Sequence, residues 1–451
     1  MKRKIIFLVS ILLFLLPFIT QPPQGLSREA YKALSIFLVS LLWWATRFVP
    51  LMITSLLGII AFPLLGIMST SSVYSKFGNT AVFFILGSLI IASAMNRSGL
   101  SRRIALRFLK YFGKTPLSLI LSLLYLAAFF SVFTSGHAVA AILMPIVLEI
   151  GSSLCEQENS ETYLKFLALA PMWGAIIGSN TSFLGGARAP LGIEMLKNFT
   201  GREISFSKWI LSSFPVVTGL ILISTIILIK LTPKTIDISK GLKILKIKNE
   251  ELGKLTKREK YISLIITTTI FAWIFFGTSL GIANIAIASV IILFVFNLTS
   301  WNEVEKDVNW GVVLMYGGAI VLGSALADTG VTNWLMSKLN ISNPILFVII
   351  IIFVSTLLTE FMSNTAVVAL ILPVVLSSGI TANIKPELLV LSVVMSAGSA
   401  FTMPMSTPAI AIMSSTNYIS MKDTFKFGVL LKLSAIAMTI LVYLLYWPVL
   451  Y

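Results

Sequence analysis

Charge is scarce in this sequence, and acidic charge is scarcest. Only 12% of the 451 residues are charged, 18 of them acidic and 34 basic, where an ordinary soluble domain carries about 25%. With 57% apolar residues, such a chain cannot cover a water-soluble core with polar surface. Cys155 and His137 are the only residues of their types. A single thiol excludes an intrachain disulfide framework, a CxxC redox centre and a cysteine-rich metal site. No Gly-x-x-x-x-Gly-Lys-Ser/Thr run occurs, so nothing cradles a nucleotide phosphate and the energy for any uphill movement must come from an ion or exchange gradient. No Ser/Lys, Asp/Asp or His-Glu-x-x-His constellation falls in the apolar stretches. The sequence therefore predicts neither an enzyme nor a cofactor.

What is present is a series of apolar runs of membrane-crossing length. They fall near 5–20, 31–47, 50–67, 80–96, 164–192, 207–230, 261–277, 279–298, 310–327, 387–414 and 427–449, and at 1.5 Å per residue such runs match a hydrocarbon core about 30 Å thick. The prediction is an all-α polytopic membrane protein with about eleven transmembrane helices. Met1-Lys2-Arg3-Lys4 followed by apolar Ile5 to Thr20 has the layout of a signal peptide without a small-residue cleavage site, so residues 1–30 read as a retained first helix and loop. The net charge of +16 lies between apolar runs, which argues against a nucleic-acid partner and for contact with the lipid bilayer. Lys2 to Lys4, the Arg97-to-Lys114 run and the basic 231–260 loop fall on one side, which places the N-terminus in the cytoplasm and the C-terminus outside the cell membrane. Residues 98–113 mix Arg and Lys with apolar residues at helical spacing and predict an amphipathic interfacial helix.

Two segments, 116–150 and 343–379, are too long for one span and carry polar knots, Thr134 to His137 and Ser363 to Thr365. Irregular backbone at membrane depth survives only beside protein or a water-filled cavity, so both are predicted to be re-entrant helical hairpins. Each precedes a helix interrupted by small and polar residues: Gly178-Ser179-Asn180-Thr181-Ser182 to Pro190 within 164–192, and Phe401-Thr402-Met403-Pro404-Met405-Ser406-Thr407-Pro408 within 387–414. Ser135 to Pro145 repeats the spacing of Ser363 to Pro373, and Phe84-to-Leu100 parallels Met315-to-Val331. The chain thus divides into a first repeat, 31–230, and a second, 261–451, running in opposite directions. Inverted repeats with broken helices in matching positions point to a midplane transport site, where freed N–H groups attract an anion and freed carbonyls ligate a cation.

Thr359-Glu360-Phe361-Met362-Ser363-Asn364-Thr365-Ala366, the run Ala400 to Pro408, Trp43-Trp44-Ala45-Thr46-Arg47-Phe48-Val49-Pro50 and the Leu86-to-Leu109 stretch resemble the divalent anion/sodium symporter family of dicarboxylate and sulfate carriers over nearly the whole chain. The resemblance implies a small-anion carrier coupled to Na⁺, with elevator-type motion and usually a homodimer. It implies Na⁺ ligands at Thr359, Met362, Asn364 and Ser406 in the second half, and at Ser131, Ser135 and Gly178 in the first. Ser363, Asn364, Thr365 and Thr407 would face a substrate carboxylate, with Ser135 and His137 opposite. An oxyanion or arsenite-type permease on the same plan is the rival reading. The first half departs from the family pattern, with Ser135-Gly136-His137 in place of Ser-Asn-Thr and Ala187-Arg188-Ala189 after the break. The second also lacks an Asn in Pro408-Ala409-Ile410. Loss of an amide oxygen and gain of a cation weaken a first Na⁺ site. Arg188 would then bind the anion directly, or else pair structurally with a carbonyl. His137 would donate to substrate, couple protons or simply hold structure. Glu360 reads as a brace for the second tip.

Overall fold

The computed structural model describes residues 2–154, 157, 160–233, 235–332, 334, 343–404 and 406–451; Cys155 and Met405 lie outside them. The first repeat holds α2 (Arg28–Thr46), α3 (Leu51–Leu64), α4 (Thr70–Phe77), α5 (Thr80–Arg97), α6 (Leu100–Phe112), α7 (Pro116–Phe130), α8 (Gly136–Ser152), α9 (Ser160–Gly178), α10 (Arg188–Thr200) and α11 (Phe206–Leu231), preceded by α1 (Lys2–Ile19). After α12 (Ser239–Glu251), the second holds α13 (Lys257–Phe276), α14 (Ile282–Val295), α15 (Trp301–Asp307), α16 (Trp310–Asp328), α17 (Pro344–Leu358), α18 (Asn364–Thr381), α19 (Pro386–Ala397), α20 (Pro408–Ser414), α21 (Met421–Leu445) and α22 (Trp447–Leu450).

Helix starts follow local chemistry. Asn79 caps α5 by accepting from Ala81 N–H, Thr115 and Ser118 form a capping box before Pro116, and Asn343 precedes Pro344 in the matching place. Such caps matter more in lipid, where an unpaired backbone N–H has no water to turn to. Among the described residues, five helical stretches are long and apolar enough to cross a membrane alone, including Phe206–Leu231 and Met421–Leu445. Pro116–Phe130, Gly136–Ser152, Pro344–Leu358 and Asn364–Ile380 are shorter, and these build the two hairpins predicted from their polar knots. Phe214, Phe271, Phe275, Ile291 and Phe353 are exposed, as expected of faces turned to lipid.

The repeats pack reciprocally. One constant shift along the chain carries Ser55 onto Ala286, Gly87 onto Gly318, Lys76 onto Asp307 and Arg97 onto Asp328. A Cβ on Gly87 would meet Ala286 Cβ at 2.8 Å, and one on Gly318 would meet Ser55 Cβ at 2.4 Å, so α5 lies against α14 as α16 lies against α3. The same exchange governs charge. Arg97 clasps Asp307 through Nε and Nη2, both at 2.6 Å, while Lys76 pairs with Asp328 at 2.9 Å. Contacts that map residue i of one copy onto j of the other, and j onto i, are those of a two-fold relation. The hairpin units obey it too: α8 packs on α20, and α10 packs on α18.

Three expectations need adjustment. The first broken helix does not stop at 192 but continues to Thr200, because Glu194 and Lys197 interrupt an apolar pattern without interrupting the helix. The basic 231–260 segment is not all loop. Ser239–Glu251 is helical, with Leu245 buried, Gly241 against Ile150 of α8 and Lys248 paired with Glu149 at 2.6 Å. The 98–113 segment is the helix expected, yet Arg103 on it is buried, donating to Glu259 at 2.6 Å and to the carbonyls of Leu252 and Gly253.

Candidate functional site

Both hairpin tips and both helix breaks meet at one cavity of about 200 Å³. Ser135, Gly136 and His137 come from the first tip, Ser363, Asn364 and Thr365 from the second. Gly185 to Arg188 line it from the first break, Gly398, Ser406 and Thr407 from the second. Ser88 of α5 and Asn309, the cap of α16, complete the wall. Of the residues predicted for the site, Ser135, His137, Arg188, Ser363, Asn364, Thr365, Ser406 and Thr407 therefore converge. Ser131, Gly178, Thr359 and Met362 do not line the cavity; Ser131 and Thr359 cap the incoming hairpin helices and Gly178 ends α9.

Among the described residues, Arg188 is the only Lys, Arg, Asp or Glu on the cavity wall. It is 4% exposed, and its Nη2 donates to Ser179 Oγ at 3.0 Å and Asn180 Oδ1 at 2.8 Å. Its Nε has no partner, and among the described residues no carboxylate lies within 4 Å of the guanidinium. Two glycines make room for it. A Cβ on Gly398 would fall 2.0 Å from Asn180 Oδ1 and 2.5 Å from Arg188 Nε, and one on Gly186 would fall 2.1 Å from Arg188 Nη1. A buried cation held by neutral oxygens alone is under-compensated. An Arg at the centre of a membrane span costs about 2.5–3.5 kcal/mol on insertion scales, a cost that an anion beside it would offset.

The second half assembles oxygens instead. Thr359 Oγ1 lies 2.8 Å from Asn364 Oδ1 and 2.7 Å from the Ala397 carbonyl. One hydroxyl proton serves only one of those acceptors at a time, so a hard cation could engage all three oxygens. Ser406 Oγ donates to the Met403 carbonyl at 2.6 Å, and Met362 is buried. Ser363 caps α18 through Ala366 N–H, and Thr407 caps α20 through Ile410 N–H. Beneath them Glu360 accepts from the N–H groups of Phe401, Thr402 and Met403 at 3.0–3.2 Å, with Lys432 at 3.7 Å. Glu360 ties the hairpin to the unwound segment, the brace expected of it.

Among the described residues the first half has no such cluster. Gly136 stands where Asn364 does, and Ser131 Oγ is buried without a partner. Ser135 does not cap its helix; its Oγ sits 3.2 Å from His137 Nε2. His137 is thus engaged locally, with its ring facing the cavity. Sequence reasoning missed the Ala397 carbonyl, which no residue type announces. It also missed Asn180 and Ser179 as Arg188 ligands and Lys432 behind Glu360. The small-polar run 178–182 was the available signal for the first pair.

A protein-family model described as the sodium:sulfate symporter transmembrane region matches residues 1–451. A sodium-dependent dicarboxylate transporter of Staphylococcus saprophyticus is 30% identical over 97% of this chain and 90% of its own length. One of Staphylococcus aureus bearing the same description is 32% identical over 96% and 89%. Among solved structures, the YdaH transporter of Alcanivorax borkumensis superposes with a TM-score of 0.58 at 14% identity, covering 84% of this chain and 88% of that one. MtrF of Neisseria gonorrhoeae gives 0.57 at 12%, covering 98% and 94%. At those identities the likeness is one of fold. Matched along its whole length by the family and sharing about a third of its residues with named members, this multi-pass membrane protein belongs to the sodium:sulfate symporter family of transporters.

Proposed function

We propose that the protein carries a small dicarboxylate across the cell membrane together with Na⁺. The observation that carries this is a cavity shared by both hairpin tips and both helix breaks, whose one full charge among the described residues is an uncompensated arginine. Such a site selects anions, and a planar fork with free donors suits a carboxylate. Ser135, His137, Ser363, Asn364, Thr365 and Thr407 complete the anion's surroundings, with Arg188 supplying the charge. The coupling ion binds at Thr359, Asn364 and the carbonyl of Ala397, with the main chain of Met362 and Ser406 as further oxygens. One strong cation site is favoured over two: the Ser131, Ser135 and Gly178 region lacks an amide oxygen and faces a fixed cation whose repulsion opposes a second ion. The relatives' description as sodium-dependent dicarboxylate transporters supports both halves of this reading.

The hairpin units 116–200 and 343–414 act as the moving part of an elevator within a homodimer. The basic 231–260 segment faces the cytoplasm, with the C-terminus outside. Sulfate or another oxyanion is the second reading, favoured by the same guanidinium and by the family's description. Thermal stabilisation of the purified protein by a panel of C4 dicarboxylates, citrate, sulfate and phosphate, with and without Na⁺, separates the two. Stabilisation by succinate that needs Na⁺ is the expected result; none from any anion would overturn the reading. His137→Gln leaves the pH dependence of uptake unchanged if the ring serves Ser135 alone, and flattens it if protons are coupled.

A further inference from the structure

Another buried acidic residue lies outside the cavity lining. Glu194, on α10 six residues after Arg188, is 7% exposed. Its Oε1 accepts from Asn79 Nδ2 at 2.6 Å. Among the described residues no Lys or Arg nitrogen lies within 4 Å of its carboxylate, and nearby Lys197 bonds to Glu203 at 3.3 Å. A buried carboxylate with one amide donor is poorly compensated, so packing alone does not explain its presence. Its donor is unusual as well. Asn79 uses Oδ1 to cap α5 through Ala81 N–H at 2.9 Å, and Nδ2 to reach across to α10. The contact therefore ties the end of a helix from the reciprocal α3, α5, α14, α16 group to the helix that bears the anion-binding arginine.

The two-fold relation gives this contact a counterpart to compare. Asn309 caps α16 one position before the residue onto which the constant shift carries Asn79, accepting from Val312 N–H at 3.3 Å. Asn309 is exposed and lines the cavity, and among the described residues its side-chain amide has no partner on the hairpin units. Matching Pro190 with Pro408 places Ile412 of α20 where α10 has Glu194. An isoleucine cannot accept from an asparagine, so the second half cannot form the equivalent bond. Among the described residues the Asn79 end of α5 is bonded to the hairpin unit beside it, and the Asn309 end of α16 is not.

We propose that Asn79 and Glu194 are positioning residues for transport, forming a catch that holds the carrier closed on the Asn79 face and open on the Asn309 face when no cargo is bound. The proposal rests on the reading that the hairpin units move against the remaining helices. Release of the catch is the step that exposes the cavity to the Asn79 side, and cargo binding must supply the free energy for it.

The test uses Leu184→Cys, on the cavity wall, in a Cys155→Ser background, reconstituted in proteoliposomes. A membrane-impermeant maleimide is added from the Asn79 face. Serine remains a good N-cap but cannot reach Glu194, so Asn79→Ser removes the catch and leaves the cap; Glu194→Ala removes it from the other side. Each is expected to raise the labelling rate at least threefold, and the double variant no further than the larger single effect, as for two residues sharing one interaction. Unchanged labelling in both singles, or a double equal to the product of the singles, would overturn the proposal. Succinate uptake by the wild type is followed in parallel. Absent uptake defeats the carrier reading, whereas intact uptake with unaltered labelling defeats the catch alone.

Discussion

The two hairpin-and-break units share a backbone plan and differ in which sign of charge they hold. In the second unit, Thr359, Asn364 and the Ala397 carbonyl bring three oxygens together, and Glu360 fastens the unwound segment by three of its N–H groups. In the first, Gly136 removes the amide, Val132 replaces the acid and Arg188 fills the break. The comparison teaches that duplication sets where atoms converge, while a few side chains decide what converges there. On the proposed reading one unit takes up a cation, and the other has a cation built in.

The largest expected effect tests that division from the first unit. Arg188→Ala should weaken succinate binding by roughly a hundredfold or more, the scale for stripping a desolvated charge pair, with the protein still assembling. Thermal-shift titration of the purified variant measures it, and wild-type affinity would break the comparison. Next comes the second unit. Asn364→Ala should raise the Na⁺ concentration for half-maximal uptake by about tenfold, equivalent to about 1.4 kcal/mol; an unchanged Na⁺ curve would move the ion elsewhere. Glu360→Gln strips a charge from the brace and leaves Lys432 unpaired. A loss of about 1.5–3 kcal/mol of stability is expected from charged hydrogen bonds of this kind, read as a lower unfolding temperature in detergent.

The smallest effect sharpens the comparison at the periphery. Arg97 holds the Asp307 carboxyl below the usual aspartate range, chiefly through its hydrogen bonds. A depressed folded pKa stabilises above the unfolded value, near 3.9, and the benefit disappears as pH falls through the folded value. Asp307→Asn should therefore cost at most about 1 kcal/mol at pH 7, as for other partly exposed pairs, and less than that below pH 4. Its twin, Lys76 with Asp328, makes one contact instead of two and should matter less.

Periodicity and punctuation revealed most of this fold in the sequence. The hairpins were legible because an apolar run of that length with a polar middle has one membrane-compatible solution, and Ser135 and Ser363 do meet across one cavity. Helix α12 was illegible because its lysines signal solvent, while the contacts that hold it, Gly241 on Ile150 and Lys248 on Glu149, come from distant residues. Arg188 stood out by its type and position, but its ligands Ser179 and Asn180 looked like ordinary helix-breaking residues. The Ala397 carbonyl could not have been read at all, since every residue has one and only tertiary folding aims it. Glu194 was read past for a similar reason: a lone acid near a predicted helix end resembles surface until the partner across the gap is known.

The Arg188 side chain has an electrical consequence. A dissolved ion departs with its cargo and leaves a neutral carrier to return, but a guanidinium fixed to a moving helix crosses the field on both legs of the cycle. Each elementary charge moved through 100 mV changes the free energy by about 2.3 kcal/mol. On the proposed reading, an inside-negative potential would draw the unloaded protein toward the cytoplasmic face, and voltage would then set how long an empty carrier waits there.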